Sequence, residues 1–470
     1  MKVLLINPPF PLESRYGKGL AKIGAILPSL GLGYIAAVLE QQGHDVKILD
    51  SPALDLGITD TVENVVKQRP DVVGVTCLTS NFSRCLVLAK EIKDRLDTEI
   101  MFGGPHPTLF PEQVIDNDYI DYVIIGEGEI TTSELVETLE SGGKLDKVKG
   151  IAYKDGGHML ANEYRSRIED LDSLPFPARH LMPLKRYRPA PNEFKRLPMM
   201  TMITSRGCPY SCTFCCARRM WEQRYRQRSV DNAIEEIKFL VNEYGVRDIS
   251  FFDELWGLRK SWINEFCDRL IDENLDVVWS CYARADIISR TPREVLNKMK
   301  KAGCWHLFFG FESGNQDLLE NIKKGITLQQ IRDAVMKTKG AGIEIMANFM
   351  LALPGETPEK AMETINFAIE LDPEIAKFNV TVPHPGTDLY EEIIGGKWGS
   401  LEGEKDKYTG YFPVFIPNGY KGVNEVEKIK RMAYRKFYLR PSYILQRMLR
   451  IRSYEDFVRH ARGFLGIVRI

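Results

Sequence analysis

Hydrophobic positions along the chain form two successive alternating series. In residues 1–140, the β-branched runs Lys2–Ile6, Asp45–Leu49, Val72–Thr76, Ile100–Phe102 and Tyr122–Ile125 are separated by stretches of helical periodicity. Leu32–Gln42 sets Ile35, Ala36, Val38 and Leu39 on one side, and Ser83–Leu96 follows the same rule. Strands alternating with helices predict a parallel sheet covered on both faces, because each crossover helix packs back on the sheet it leaves. A second series starts at Met199, with runs Met199–Thr204, Ile249–Phe252, Val277–Tyr282, Leu307–Phe311, Ile343–Met350 and Phe378–Val382. Between the first two, Ser229–Tyr244 opens on a capping serine and aligns Ile234, Ile237, Leu240 and Val241. Six strand–helix units predict a partial (β/α)6 barrel of the TIM type, whose working face is formed by the loops after the strands.

The expected chain is therefore α/β throughout. A Rossmann-like, doubly wound parallel sheet spans 1–140 and a connector spans 141–195. The barrel occupies 196–415, and a small helical segment covers 416–470. The connector holds a hairpin turn at Asp155-Gly156-Gly157 and the proline-bearing Leu174-Pro175-Phe176-Pro177. From Lys428 to the end, twelve Lys/Arg stand against two Asp/Glu.

Composition narrows the function. With 44% hydrophobic and 27% charged residues among 470, the chain is of folded, globular type. Its 63 basic and 64 acidic side chains leave a net charge of −1, so no nucleic-acid partner held by overall basicity is expected. No apolar run approaches the roughly 18 residues that span a bilayer, and Met1–Pro9 lacks the form of a signal peptide. Nine cysteines are too sparse, and odd in number, for a disulfide scaffold. A reducing cytoplasm is the expected setting, and clustered cysteines become candidates for metal or redox chemistry.

Candidate binding loops follow the strands of the first series: Pro8-Pro9, Leu78-Thr79-Ser80-Asn81, Gly103-Gly104-Pro105 and Gly126-Glu127-Gly128-Glu129. In open α/β sheets, ligands bind at these carboxyl ends. No G-x-G-x-x-G follows the first strand, which disfavours a nicotinamide site. The strongest signal opens the second series: Ser205-Arg206-Gly207-Cys208-Pro209-Tyr210-Ser211-Cys212-Thr213-Phe214-Cys215-Cys216. Cys208, Cys212 and Cys215, spaced C-x3-C-x2-C, can wrap one loop around a 4Fe–4S cube and leave the fourth iron open. Structural zinc asks for four ligands, commonly two C-x2-C halves, and no second half is present. Cys216 directly follows Cys215, and adjacent side chains rarely reach two corners of one cube. Cys267, Cys281 and Cys304 stand alone among apolar neighbours as inert thiols.

C-x3-C-x-aromatic-C, with Phe214 before the third cysteine, resembles the signature of the radical S-adenosylmethionine (SAM) superfamily. The resemblance implies that SAM chelates the open iron and that one electron from the cluster splits it to methionine and a 5′-deoxyadenosyl radical, in a pocket that excludes water. Later segments resemble the family pattern in order, over roughly residues 199–390. Phe251–Trp256 nominates Asp253 and Glu254 for the SAM amino group. Cys281–Asp286 nominates Arg284 for its carboxylate. Gly310–Gly314 nominates Glu312 and Ser313 for the ribose. Asn348–Thr357 resembles the adenine-side strand and Pro383–Tyr390 the end of the sixth.

The first domain resembles the cobalamin-binding domain of the cobalamin-dependent radical SAM branch. Carried over by position, the resemblance implies that Asn7–Phe10, Leu78–Asn81, Gly103–Pro107 (with His106) and Gly126–Glu129 surround the corrin and its nucleotide tail, and glycine there lets backbone N–H groups approach a large ring. The D-x-H-x-x-G motif is absent, with His44 and His106 outside it, which implies cobalamin bound base-off without a histidine ligand. The activity implied is methyl transfer from SAM, through cobalamin, to an unactivated carbon of a small-molecule substrate. An oxidative cyclase or ring-rearranging enzyme of the same branch, such as the anaerobic cyclase of chlorophyll biosynthesis, is the alternative. A methylthiotransferase needs three cysteines in the first domain, where only Cys77 and Cys85 occur. A non-enzymatic cobalamin-responsive protein fits the ordered SAM motifs less well. The implied partners are the substrate and an electron donor such as flavodoxin or ferredoxin. The basic tail is read first as a helical cap with solvated charges, and second as a contact for an anionic substrate or a membrane surface. Tyr434, Phe437, Tyr438, Ile444, Leu445, Met448 and Leu449 recur at helical spacing and are expected as core contacts.

Overall fold

The computed structural model describes residues 1–403 and 405–449. The chain divides into two compact units: Met1–Ser14 with Ala25–Arg188, and Arg15–Gly24 with the residues from Pro189 onward. Among the described residues, no helix is long and apolar enough to cross a membrane.

The first unit is built on a seven-stranded sheet in the order β2-β1-β3-β4-β5-β6-β7. Its strands are β1 (Lys2–Asn7), β2 (Asp45–Asp50), β3 (Val72–Thr76), β4 (Glu99–Gly103), β5 (Tyr122–Ile124), β6 (Ile151–Asp155) and β7 (His158–Ala161). β1 to β5 are parallel, as the alternating pattern predicts. Successive strand residues point to opposite faces, and each face is buried separately. Leu4, Ile6, Val73 and Val75 pack with Val62 and Val65 of helix Ile58–Gln68 and Leu88 and Ile92 of helix Phe82–Lys93. Val3, Leu5 and Val72 pack with Leu32, Ala36 and Leu39 of helix Leu30–Gln41 and Leu135 and Val136 of helix Gly128–Ser141. The sheet is doubly wound.

Residues 141–195, read from sequence as a connector, supply two further strands. β6 runs antiparallel to β5 and to β7. The two-residue loop between β6 and β7 has Gly156 at φ 56° and Gly157 at φ 84°, the paired positive values that a tight type I′ turn demands.

In the second unit, six parallel strands stand in the order β15-β14-β13-β12-β11-β8. They are β8 (Met199–Met202), β11 (Asp248–Phe251), β12 (Val278–Ala283), β13 (Cys304–Glu312), β14 (Glu344–Leu351) and β15 (Ile375–Val380). The short pair β9 (Ser205–Arg206) and β10 (Arg226–Gln227) lies beside the end of β8. The two end strands are not bonded to each other, so the barrel is partial. Helix Val230–Tyr244 is capped by the Ser229 hydroxyl, which accepts from the Asn232 N–H. Two aromatic groups fill the space under the helices: Phe251, Trp256, Phe266 and Trp279, and separately Phe309, Phe311, Phe349 and Phe378.

Helix Val423–Tyr438 completes the second group. Phe437 and Tyr434 pack on Phe378, and the Tyr438 hydroxyl donates to the Ala376 carbonyl at 2.8 Å. These three aromatics are core contacts, as expected. In the following helix, Pro441–Leu449, the outcome differs: Ile444, Leu445, Met448 and Leu449 are exposed, while Tyr443 turns inward, its hydroxyl donating to the Glu374 carbonyl. Residues 450–470, which carry much of the basic tail, lie outside the described residues.

Candidate active site

The cysteine loop begins where β8 ends, and two carboxylates shape its approach. Asp253, at the end of β11, accepts from the Thr204 N–H at 2.8 Å, the Thr204 hydroxyl at 2.6 Å and the Ser205 hydroxyl at 2.7 Å. Burial pushes its carboxyl up to about 7 against the pull of these bonds. Glu254 is exposed and accepts from the Gly207 N–H at 3.1 Å. Gly207 has φ +92°, and a side chain there would put its Cβ 2.0 Å from the Arg224 carbonyl oxygen. Only glycine passes between the β9–β10 pair and the first cysteine.

The loop is then tied at both sides. Thr213 donates its N–H to Ile322 at 3.0 Å and accepts from Leu389 at 2.9 Å. Phe214 packs against Leu318, Ile322 and Leu353 on one side and Leu389, Ile393 and Phe415 on the other. The Cys215 N–H reaches the Cys212 carbonyl at 3.1 Å, a tight turn that brings the second and third thiols of the motif round together. Cys216 is the N-cap of helix Ala217–Trp221, and its carbonyl accepts from Arg219 and Met220, both at 3.0 Å.

Two cations stand over this loop. Arg284, buried, donates to Asp286 at 3.0 Å and to the Lys324 carbonyl at 2.8 Å, and directs Nη1 at Cys212 Sγ, 3.9 Å away. Its guanidinium lies 3.5 Å from the Tyr210 ring centre, and the Tyr210 hydroxyl donates to Asp286 at 2.8 Å. Lys324 donates to Glu312 at 2.7 Å and sits 5.8 Å from the Phe214 ring. Glu312 holds φ +65°, uncommon for a residue with a side chain and typical of constrained sites. Burial raises the Cys208 thiol, while Arg284 and Lys324 work in the opposite direction. The Ser313 hydroxyl turns to Thr364 at 3.1 Å and accepts from the Asn315 N–H at 3.0 Å.

Among the described residues, no group of three His, Cys, Asp or Glu converges on a point that could hold a metal ion. A cubane gives each thiolate its own iron corner, so its ligands spread around a body rather than meet at one centre. Three thiols on one loop, with two cations beside them, fit an anionic iron–sulfur cluster. Sequence reasoning passed over Lys324, Tyr210, Thr204 and Ser205. Lys324 lies in Lys323-Lys324-Gly325, which reads as a solvated turn, and no local signal marks it.

In the first unit, the expected loops gather at the carboxyl ends of β1, β3, β4 and β5. Asn7 donates to Asp50 at 3.0 Å beside the buried Pro8. Leu78 stands 43% exposed over Ser80 and Asn81, and the Asn81 side chain accepts from the Leu78 N–H at 2.8 Å. Gly103 and Gly104 end β4, and a Cβ on Gly104 would lie 3.1 Å from the Cys77 carbonyl oxygen. Pro105 opens the next turn. His106 is buried between Phe82 and Phe110, with Nδ1 3.2 Å from the Thr79 hydroxyl. Gly126 donates to Thr108 at 3.0 Å, Glu127 accepts from the Ile168 N–H at 3.0 Å, and Gly128 begins a helix. An exposed apolar lip beside side-chain-free turns fits a broad, flat ring.

Residues 18–136 match the B12 binding domain family and residues 202–368 match the radical SAM superfamily. An uncharacterized methyltransferase of Pyrococcus horikoshii is 36% identical over 95% of this chain and 94% of its own. The chain belongs to the cobalamin-binding radical SAM family. An anaerobic magnesium-protoporphyrin IX monomethyl ester cyclase of Rubrivivax gelatinosus is 30% identical over 94% of this chain and 78% of its own. The structure of the radical SAM methyltransferase TsrM from Kitasatospora setae, with cobalamin and a [4Fe–4S] cluster bound, has a TM-score of 0.72 at 16% identity. That likeness covers 100% of this chain and 98% of the other, and it shows that the two share a fold.

Proposed function

We propose that this chain is a methyltransferase that moves a methyl group from SAM to an unactivated carbon of a small molecule. The observation that carries the reading is the cation-flanked three-cysteine loop in one chain with a B12-type sheet. The similarity to a methyltransferase at 36% identity supports it over the cyclase alternative at 30%. When bound, the cluster supplies the electron that cleaves SAM, and cobalamin supplies a carrier for the methyl group.

Cys208, Cys212 and Cys215 hold the cluster. Arg284 and Lys324 offset its negative charge. Asp253 keeps the loop in shape from a buried position, and the exposed Glu254 is the carboxylate placed to meet the SAM amino group. Glu312, fixed by Lys324, faces the same end of the barrel. Ser313 acts there through the turn it braces. The loops at Asn7-Pro8, Leu78–Asn81, Gly103–His106 and Gly126–Gly128 would cradle cobalamin, with the exposed Leu78 offering an apolar contact and the buried His106 as support. A flavodoxin or ferredoxin in the cytoplasm supplies the electron.

The test uses anaerobically reconstituted, reduced enzyme with methyl-labelled SAM and a small-molecule extract of its own cells. Formation of 5′-deoxyadenosine with label in an extracted compound is the expected result. Formation of 5′-deoxyadenosine with products that keep their carbon count favours the cyclase. Absence of 5′-deoxyadenosine rejects both.

A further inference from the structure

Parallel register sorts the barrel side chains into two faces. Phe251, Phe309, Phe349 and Phe378 lie under the helices. The opposite face carries Phe252, Tyr282 and Phe308, whose rings contact in sequence across neighbouring strands at 6.0 and 5.1 Å. Tyr282 pairs in register with Phe308. One row further along, Gly310 pairs with Asn348 and Asn348 with Lys377. Arg284, one residue beyond the Ala283–Phe309 pair, stands level with Gly310. Arg284 and Lys377 therefore end one row, three strand gaps or about 14 Å apart. The first faces the cluster cysteines. The second stands at the far end of the row, on β15.

Lys377 forms an ion pair with Glu193, and the two side chains keep 32% and 21% of their surface open. Around them, Tyr16 and Tyr411 meet edge to face at 5.3 Å. Arg15 lies over Tyr16 at 5.1 Å, and the Lys430 amine donates to the Tyr411 carbonyl at 2.7 Å. Lys377 and Arg15 thus stand near one carboxylate, Glu193, and the charged neighbour of Lys430 is Glu427. Burial works to lower the Lys377 amine, and Glu193 and Tyr411 overcome it, so the ammonium is retained. Nearby, Tyr282 and Phe252 are each 38% exposed on the concave face. An excess of positive charge beside open aromatic rings is chemistry for an anion joined to a flat apolar body.

We propose that the Lys377–Glu193 pair, with Tyr282 and Phe252, forms a substrate-anchoring site for a planar apolar molecule bearing a carboxylate or phosphate group. The proposal rests on the methyltransferase reading for what is done to that molecule, and adds what kind of molecule it is. On binding, the ligand anion takes over the Lys377 ammonium from Glu193, and the flat part lies along Tyr282 towards the Arg284 end of the row.

Anaerobic titration calorimetry on the reconstituted holoenzyme tests this, using 2-naphthoate, 2-naphthyl phosphate and the uncharged 2-naphthamide. One of the two anions is expected to bind at least tenfold tighter than the amide, and which one does so names the anionic group. Lys377→Met is expected to erase that preference. Glu193→Gln, which removes the competing carboxylate, is expected to tighten the anion severalfold and leave the amide unchanged. Equal affinity for anion and amide in the unaltered enzyme, or weaker anion binding in Glu193→Gln, would overturn the proposal. Because binding is read without turnover, its failure is distinguishable from failure of methyl transfer, which shows as unlabelled product.

Discussion

Arg284 aims a guanidinium nitrogen at Cys212 Sγ from 3.9 Å while its flat face rests on Tyr210. Its other donors are held by Asp286 and the Lys324 carbonyl, so the group is positioned from three directions. A fixed cation beside a cluster ligand favours the reduced, more negative state. Arg284→Met is therefore expected to move the cluster to a more negative potential, by about 60 mV if the charge is worth a factor of ten. An EPR-monitored redox titration measures this. An unchanged potential would mean that the arginine serves only to pack the loop.

Gly207 combines a left-handed backbone with a carbonyl oxygen 2.0 Å from where a Cβ would stand. Gly207→Ala is expected to displace the segment leading to Cys208. Iron per chain after reconstitution should fall from about four to well under half of that, with little change in the first unit's circular dichroism. Full iron loading in the alanine variant would contradict this account of the turn.

Cys216 is the N-cap of helix Ala217–Trp221, and we propose that it stays outside the cage. Cys216→Ala is expected to keep about four irons per chain, whereas Cys208→Ala, Cys212→Ala and Cys215→Ala should each lose the cluster and 5′-deoxyadenosine production. Iron and sulfide assays on the four variants decide it.

Glu356 is fully buried, with its carboxyl pushed up to about 7 by desolvation. It accepts from the Tyr420 hydroxyl and from the N–H of Ala352, both at 2.5 Å, and Ala352 has φ +58°. Because the folded value exceeds the unfolded one, its contribution is complete below about pH 4.5 and is lost as pH rises towards 7. Each unit of the shift is worth about 1.4 kcal/mol. Glu356→Gln is expected to flatten the pH dependence of stability between pH 5 and 7, measured by urea unfolding at fixed ionic strength. A slope identical to that of the unaltered protein would remove Glu356 as its source.

The sequence made legible what is local. The β-branched runs named nine of the eleven parallel strands to within one or two residues and the fourth and sixth barrel strands to within three, because a buried parallel strand is apolar on both faces. The cysteine loop stood out because Cys208, Cys212 and Cys215 fall within eight residues of one another at a regular spacing. What escaped is set by distance along the chain. Lys324 meets Glu312 only through a turn whose conformation no motif encodes, and Thr204 meets Asp253 across 49 residues. The β6–β7 hairpin was visible as a turn, yet nothing local states that β6 joins β5 and enlarges the sheet. The aromatic spacing from Tyr434 onward predicted burial correctly for the helix that lies on β15, and failed for Ile444, Leu445, Met448 and Leu449. Periodicity shows that a face exists but does not name what covers it.

Residues Arg15–Gly24 belong with the second unit although the sequence on both sides of them belongs with the first. No single cut in the polypeptide therefore separates the two halves cleanly. As the ribosome releases the chain, this ten-residue excursion emerges long before the residues it packs against, Tyr411 among them, and it must wait for them. Shortening the protein to a free-standing cobalamin module would strand that segment without its partners, so a usable fragment has to replace it rather than merely stop at Arg188.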